Sequence, residues 1–570
     1  MKHAAAMLFS LLLVVLLSSM VCPQTAAQIT VISANPNSAA QGTVNLNVTV
    51  NGKGFKNGAK AQWFVTGTTN PGGVTVNSTA FNNSSQLTAN ITVAVDAATG
   101  NFDIQVTNAD GRTGKGTELF AVQSSGNSKA SCTSVPVNPV PNACASSTAT
   151  TGCLDSTFGS GGLVLTSTTS SEPVAVKQQA DGKLVAIGQI NDSSSQSIEI
   201  VRYNLDGSLD TSFGSNGIVE DFTFPGGVCC YGTFDGAIDQ SGNILVLGQS
   251  PNGNFVRRYT PSGGPDAVFN SNSVSSFISG ISSKSLRLQP DGKLLITGSY
   301  FPPKGGGSVK AFVMRLNTDG TPDSSFGSGG LSLVSVMPTS KGLALQTFNA
   351  QQYIVAGGAT SSNVFGLIRL TPTGALDTTF GSNGLASTSY CTASGIYSLA
   401  VDNSGDILAA GLVQLVQNGV HKIEVARYTS AGALDTTFGD PSNSTNGRTG
   451  ITVLDTFGYT SEVASIAPVF DGSGNLTHIL VAGDGLEQMG SSSIYKYLIL
   501  ARYNPDGSLD STFGTGGVTA VNFGNYNNYV MQLPASNLAI QSNGEYAIIG
   551  GATTLQSGGN YDFSLARLWP

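Results

Sequence analysis

Seven times between residue 154 and the C-terminus the chain repeats one short element, an Asp preceded by Leu or Pro and followed three residues later by Phe. The copies are Leu154-Asp155 with Phe158, Leu209-Asp210 with Phe213, Pro265-Asp266 with Phe269, Pro322-Asp323 with Phe326, Leu376-Asp377 with Phe380, Leu434-Asp435 with Phe438 and Leu509-Asp510 with Phe513. Units repeated in phase cannot each bury an apolar face alone, so they must stack on one another.

The first unit shows four apolar runs: Gly162-Leu163-Val164-Leu165, Val174-Ala175-Val176, Leu184-Val185-Ala186-Ile187-Gly188 and Ile198-Glu199-Ile200-Val201-Arg202-Tyr203. The second and third runs meet at Asp181-Gly182, and the same place holds Ser241-Gly242, Asp291-Gly292, Ser404-Gly405, Ser473-Gly474 and Asn543-Gly544 in other units. These residue types tolerate positive φ in a hairpin. With 71 glycines and only 11% charged residues, the composition suits many short strands joined by tight turns. Four antiparallel strands per unit predict a seven-bladed β-propeller of four-stranded blades over residues 154–570.

Eight residues always separate the Arg that ends the fourth run from the next Asp: Arg202 and Asp210, Arg258 and Asp266, Arg315 and Asp323, Arg369 and Asp377, Arg427 and Asp435, Arg502 and Asp510. From Asp to the next Arg the distance wanders between 46 and 67 residues, so the junction between units is the rigid part. A turn centred on Asp206-Gly207 sets Tyr203 opposite Asp210 and leaves Arg202 diagonal to it, within reach of a guanidinium. Phe213 is then placed to wedge into the seam between sheets. Asp155 has no Arg eight residues before it and Arg567 no Asp after it. The two leftovers are expected to meet and close a ring with no exposed edge, the alternative being an open array.

The units resemble the delta-60 repeat of secreted bacterial proteins, with the pattern Arg-Tyr-Asn-x-Asp-Gly-Ser-Leu-Asp-x-x-Phe-Gly matched throughout by residues 202–214 and 502–514. The third unit departs from it most, with Pro265, Asn270 and no Asn after Tyr259, which implies a weaker seam there. The resemblance implies no established reaction or ligand.

Before the repeats, residues 28–122 alternate polar and apolar positions, as in Val44-Asn45-Leu46-Asn47-Val48-Thr49-Val50, and fit a small β-sandwich. Asn35-Pro36-Asn37-Ser38, Gly52-Lys53-Gly54-Phe55, Gly100-Asn101-Phe102-Asp103 and the stretch Val106-Thr107-Asn108-Ala109-Asp110-Gly111 resemble the immunoglobulin-like IPT/TIG family. In secreted proteins that family's modules mostly act as spacers or adhesion domains. The fold class expected is therefore all-β, an N-terminal immunoglobulin-like β-sandwich followed by the propeller. Residues 123–153, rich in Ser, Thr, Asn, Pro and Ala, read as a linker.

Lys2 and His3 ahead of the apolar run from Ala4 to Val21, with Thr25-Ala26-Ala27 after it, read as a secretory signal peptide over residues 1–27. A lipid anchor on Cys22 is the weaker option, Val21 being branched where such sites take a small residue. A secreted or outer-surface location permits disulfides. Six cysteines then remain, Cys132, Cys144, Cys153, Cys229, Cys230 and Cys391, with fifteen pairings open. Cys132 with Cys144 is the first choice and Cys229 with Cys391 the least favoured. No later stretch is long and apolar enough to span a membrane.

A net charge of -8 without any basic run excludes an electrostatic footprint for nucleic acid. No His-Glu-x-x-His, Gly-x-Ser-x-Gly or Gly-x-x-x-x-Gly-Lys-Ser/Thr occurs, and His421 and His478 fall in different units. No cofactor is predicted. Calcium is considered at three junctions with alternating oxygen ligands around a Gly: Asn204, Asp206 and Asp210; Asn317, Asp319 and Asp323; Asn504, Asp506 and Asp510. Asx hydrogen bonding explains the same residues without metal. Loops between the third and fourth runs, bearing Tyr300, Phe301, Tyr495 and Tyr561, are the binding-face candidates, with surface drift as the bland reading. The functional expectation is a non-enzymatic scaffold for a protein or glycan at the cell surface; the alternative is an extracellular carbohydrate-active enzyme using acidic residues.

Overall fold

A computed structural model describes residues 28–41, 43, 45–94, 97–123, 135–136, 145–146, 150–166, 171–191, 196–221, 232–250, 253–272, 280–303, 307–388, 393–414, 421–439, 450–455, 461–489, 493–523, 538–541, 547–554 and 561–570. Residues 1–27, read above as a signal peptide, and Cys132, Cys144, Cys229, Cys230 and Cys391 lie outside them. Cys153 is disulfide-bonded. The chain divides into two compact units, Met1–Ser128 and Lys129–Pro570. Among the described residues no helix is long and apolar enough to cross a membrane.

The first unit holds two four-stranded sheets. One runs in the order Thr30–Asn35, Leu46–Lys53, Gln86–Val93, Val74–Asn83; the other Ser38–Ala40, Thr113–Gln123, Gly100–Thr107, Lys60–Val65. Strict alternation in Gln86–Val93 sends Leu87, Ala89, Ile91 and Val93 inward, the period-two signature of a strand with one dry face. They share a core with Trp63, Phe102, Ile104 and Phe120, and Trp63 meets Phe120 edge-on at 6.0 Å.

In the second unit the sheets follow the chain in order. The first is Ser171–Gln178, Leu184–Asn191, Gln196–Tyr203 and Ile218–Asp221, every neighbour antiparallel. Equivalent sheets begin at Ile281, Gly342, Ala393 and Ser461, and a three-stranded one covers Gly232–Ile238, Ile244–Ser250 and Gly253–Tyr259. Apart from that three-stranded sheet, the described sheets take their outermost strand from the next repeat, which corrects the grouping of four runs within one unit. Leu163–Thr166 accordingly pairs with Tyr561–Leu568 and not with Ser171–Gln178. The cause is the junction itself: past the Asp, a bridge between Ser215 and Ile218 turns the chain back alongside the strand it has just left.

The register at the junction also differs from expectation. Tyr203 faces Leu209, so Arg202 and Asp210 are directly opposite, and Asp210 N donates to Arg202 O at 2.9 Å. Asn204 N donates to Ser208 O and Gly207 N to Asn204 O, which makes the loop one residue longer than a two-residue hairpin. Gly207, with φ 84, suits this loop, and a Cβ there would stand 3.0 Å from Phe158 of the preceding seam.

Each seam carries one junction phenylalanine. Phe213, fully buried, packs with Val185, Ile187, Ile198 and Ile200 of one sheet and Ile244, Val246 and Phe255 of the next. Phe158 does the same between Tyr203 and Phe563. Such burial contributes about 1.5–3 kcal/mol per side chain.

Part of the segment read as a linker joins these sheets. Val135–Pro136 adds a parallel strand beside Ile451–Asp455, and Ala145–Ser146 lies parallel to Leu154–Asp155. An edge strand offers free backbone groups, and even a proline-rich segment can dock there.

Glu424 is fully buried in the strand His421–Tyr428, and neither carboxyl oxygen has a hydrogen-bond partner among the described residues. Burial pushes its carboxyl up to about 8, so the folded chain keeps a proton there that the unfolded chain has released. Its stabilising share is complete below the ordinary value of 4.5 and is lost as pH rises through about 8. Melting curves from pH 5 to 9 should show a fall in Tm that Glu424→Gln reduces; equal slopes in both proteins would contradict the assignment.

Candidate functional site

At the end of each sheet where the third strand turns outward, one guanidinium serves several acceptors. Arg202 Nε donates to Asp210 Oδ2 at 2.8 Å, and the same bond joins Arg258 to Asp266, Arg315 to Asp323, Arg369 to Asp377, Arg427 to Asp435 and Arg502 to Asp510 at 2.7 to 2.9 Å. The cation also lies over the junction phenylalanine, 4.5 Å from the Phe213 centroid and 4.8 Å from that of Phe380. Its Nη1 reaches across the seam to a turn carbonyl of the next sheet: Arg315 to Pro372 at 2.7 Å, Arg369 to Ser430 at 2.7 Å, Arg427 to Pro505 at 2.6 Å, and Arg202 to Pro261.

The other carboxylate oxygen holds the outgoing turn. Asp210 Oδ1 accepts from Ser212 N and Oγ at 3.1 and 2.6 Å, and Asp323, Asp377, Asp435 and Asp510 repeat this with Ser325, Thr379, Thr437 and Thr512. A second cation joins some clasps. Lys183 Nζ donates to Asp210 at 2.8 Å, Lys293 to Asp323 at 2.9 Å, and His478 Nε2 lies 3.4 Å from Asp510. The Lys183 ammonium, then the Ser212 hydroxyl, hold the Asp210 carboxyl well below the usual range. Burial, then Arg502, pushes the His478 imidazole down, with Asp510 opposing. Sequence reasoning missed these second cations, although Asp181-Gly182-Lys183 and Asp291-Gly292-Lys293 are alike.

In the third unit Val268 stands where the others carry Ser or Thr, and residues Ala267–Asn272 form a short helix. Phe269 N binds Asp266 Oδ1 instead, and the Asn270 side chain bonds both N–H and C=O of Arg258. Elsewhere Arg202 N donates to Gly217 O.

Asp155 and Arg567 come together: Nε to Oδ2 is 2.7 Å, Nη2 to Oδ2 2.7 Å, the cation lies 4.6 Å from Phe158, and Nη1 reaches Leu205 O. Around them a junction turn is assembled from two distant pieces. Gly152 N donates to Trp569 O and Trp569 N to Cys153 O, the bonds that Gly207 and Asn204 make within one continuous loop.

The calcium candidates sit inside these turns. Asp206 Oδ1 accepts from Ser208 N and Oγ, Asp319 from Thr321 and Asp506 from Ser508 in the same way. Asn204 and Asn504 donate to Ser208 and Ser508, and Asn317 to Thr321. Among the described residues no group of three or more His, Cys, Asp or Glu could hold a metal.

The aromatic candidates lie at the opposite end of the sheets. Tyr300 ends the strand Leu294–Tyr300, opposite Ile281, and is partly buried; Phe301 follows it, 50% exposed. The side chains of Tyr495 and Tyr561 lie outside the described residues. His421 opens its strand at that same end, in a different sheet from His478.

Removing one partner of a buried ion pair costs about 3–5 kcal/mol. Asp155 and Arg567 are 0% and 7% exposed, against 23% and 21% for Asp266 and Arg258. Denaturant midpoints should therefore fall further for Asp155→Ala than for Asp266→Ala; the reverse order would refute the role given to closure. Because the turn oxygens already accept protein hydrogen bonds, EDTA should leave Tm unchanged, and a drop in Tm would restore calcium at the three Asn-Asp-Asp turns.

Five segments, residues 179–213, 289–326, 352–380, 403–438 and 478–513, match the family described as "Domain of unknown function (DUF5122) beta-propeller". Each ends on a junction phenylalanine, and the junction closing on Phe269 is not among them. None of the curated proteins matches the chain. Similar solved structures include Drosophila Plexin A in complex with Semaphorin 1b, at 10% identity over 72% of this chain and 86% of that one, TM-score 0.34. Others are the polysaccharide lyase Uly1, at 11% identity, 70% and 89% coverage and TM-score 0.38, and a Lactobacillus plantarum protein, at 12% identity, 74% and 98% coverage and TM-score 0.36. The matched segments and the clasps they contain lead to one statement: over residues 179–513 this chain carries DUF5122 beta-propeller repeats, of the delta-60 type.

Proposed function

We propose that the chain is a secreted or cell-surface binding scaffold without catalytic activity, in which an IPT/TIG-like immunoglobulin sandwich precedes a closed seven-bladed β-propeller that presents one face to a protein or glycan partner. The two ends of the sheets support this by their difference. At the clasp end the charged groups are spent on one another and on turn carbonyls. At the other end the connecting loops vary in length, and Phe301 stands half exposed. A rigid ring with variable loops on one face is the arrangement in which repeat proteins recognise partners. The IPT/TIG resemblance and the leader at residues 1–27 support export and a spacer role for the first unit.

The test is a glycan array, a cell-surface protein pull-down and a panel of polysaccharide substrates, all with the protein lacking residues 1–27. Binding without turnover is expected. Turnover of any polysaccharide would replace the scaffold by an extracellular carbohydrate-active enzyme, hydrolase or lyase. Phe301→Ser should weaken a partner that uses the loop face and leave Tm within about 1 °C, since an exposed side chain contributes little to folding.

A further inference from the structure

The first strands of successive sheets pack on one another around the second unit: Ser171–Gln178 on Gly232–Ile238, then Ile281–Leu288, Gly342–Phe348, Ala393–Val401, Ser461–Phe470 and Leu538–Ile540, which returns to Ser171–Gln178. These strands line the centre. Several carry a bulge near their start, between Thr233 and Asp235, between Ser283 and Ser285, and between Ile396 and Ser398. The extra residues are Phe234, Lys284 and Tyr397. In the intervening sheet Lys341 stands just before Gly342, with its N–H on Gly357 O at 2.8 Å. A bulge re-aims a side chain away from the regular pleat, and all four residues are partly exposed.

Neighbouring sheets thus set the order aromatic, cation, cation, aromatic. Lys284 Nζ lies 4.7 Å from the Phe234 ring centroid and Lys341 Nζ 3.5 Å from that of Tyr397. The rings fix both ammoniums by cation–π attraction. Among the described side chains neither ammonium makes an ion pair; the nearby Asp235 carboxylate is engaged by Leu286 N, Ser285 Oγ and Arg287 Nη1 at 2.9, 3.1 and 3.4 Å. Burial and then Lys341 lower the Lys284 ammonium. Two like charges on the neighbouring strands of adjacent sheets, in a chain of net charge -8, have a cost that a bound anion removes.

We propose that Phe234, Lys284, Lys341 and Tyr397 form a binding site for an acidic saccharide, whose carboxylate or sulfate bridges the two ammoniums while its ring packs against the flanking aromatics. A few charged groups set among aromatic side chains are what fix a ligand's orientation, and a bare inorganic anion makes no use of the aromatic faces. The inference rests on the binding reading above and names its ligand class.

Isothermal titration of the protein lacking residues 1–27 with oligogalacturonate, a sulfated oligosaccharide, a neutral cello-oligosaccharide, poly-glutamate and inorganic sulfate tests it. Oligogalacturonate or the sulfated sugar should bind, more weakly as salt rises, and whichever binds identifies the anion. Lys284→Gln combined with Lys341→Gln should weaken binding at least tenfold, and Lys284→Arg with Lys341→Arg should retain it at unchanged Tm. Absence of acidic-saccharide binding, equal affinity for the neutral sugar, tighter binding of poly-glutamate, sulfate binding as tight as the saccharides, or loss of affinity in the arginine variant would each overturn the site. Acidic saccharides binding the glutamine variant unchanged would overturn it too while leaving the scaffold reading intact. A protein partner captured by both the parent and the glutamine variant, with no saccharide bound, would separate the two readings in the same way.

Discussion

A guanidinium is planar, stays charged and points its donors in several directions, so one arginine can hold three groups in fixed relation. In this chain Arg315 binds Asp323 of its own sheet, covers Phe326 in the seam and donates to Pro372 O of the next sheet. A buried ion pair adds little net stability by itself, because desolvation offsets most of the attraction. What it supplies is position. The phenylalanine and its aliphatic neighbours provide the burial that favours stacking, and the arginine fixes how far one sheet can slide or rotate on the next.

The same economy explains where variation is tolerated. Between one Asp and the next Arg the spacing varies from 46 to 67 residues. Across the junction it cannot vary, because a residue more or less would move Asp210 away from Arg202. The third unit shows how such a site changes without collapsing: a helical turn and the Asn270 amide take over the bonds that backbone groups make elsewhere.

Much of this was legible in the sequence. The eight-residue spacing identifies the partners of every clasp, and the two unmatched residues, Asp155 and Arg567, point at each other. The assignment of strands to sheets was not legible, because Leu163–Thr166 looks like the first strand of its own unit; only the direction of the turn after the Asp reveals which sheet it joins. Nor could the docking of Val135–Pro136 be read, since its composition is that of a linker and its partner is an edge some three hundred residues away. The central residues escaped for another reason. Lys284 and Tyr397 owe their orientation to bulges, and an irregularity of pairing leaves no trace in a pattern of polar and apolar letters.

The turn shared by Gly152, Cys153 and Trp569 has a bearing on the order of events at the ribosome. Its two pieces lie some four hundred residues apart in the chain, so Leu163–Thr166 emerges well before Tyr561–Leu568 and waits unpaired until that strand arrives. For a chain that folds as it is made, Tyr561–Leu568 is the latch, and until it appears an exposed strand must be kept from other partners.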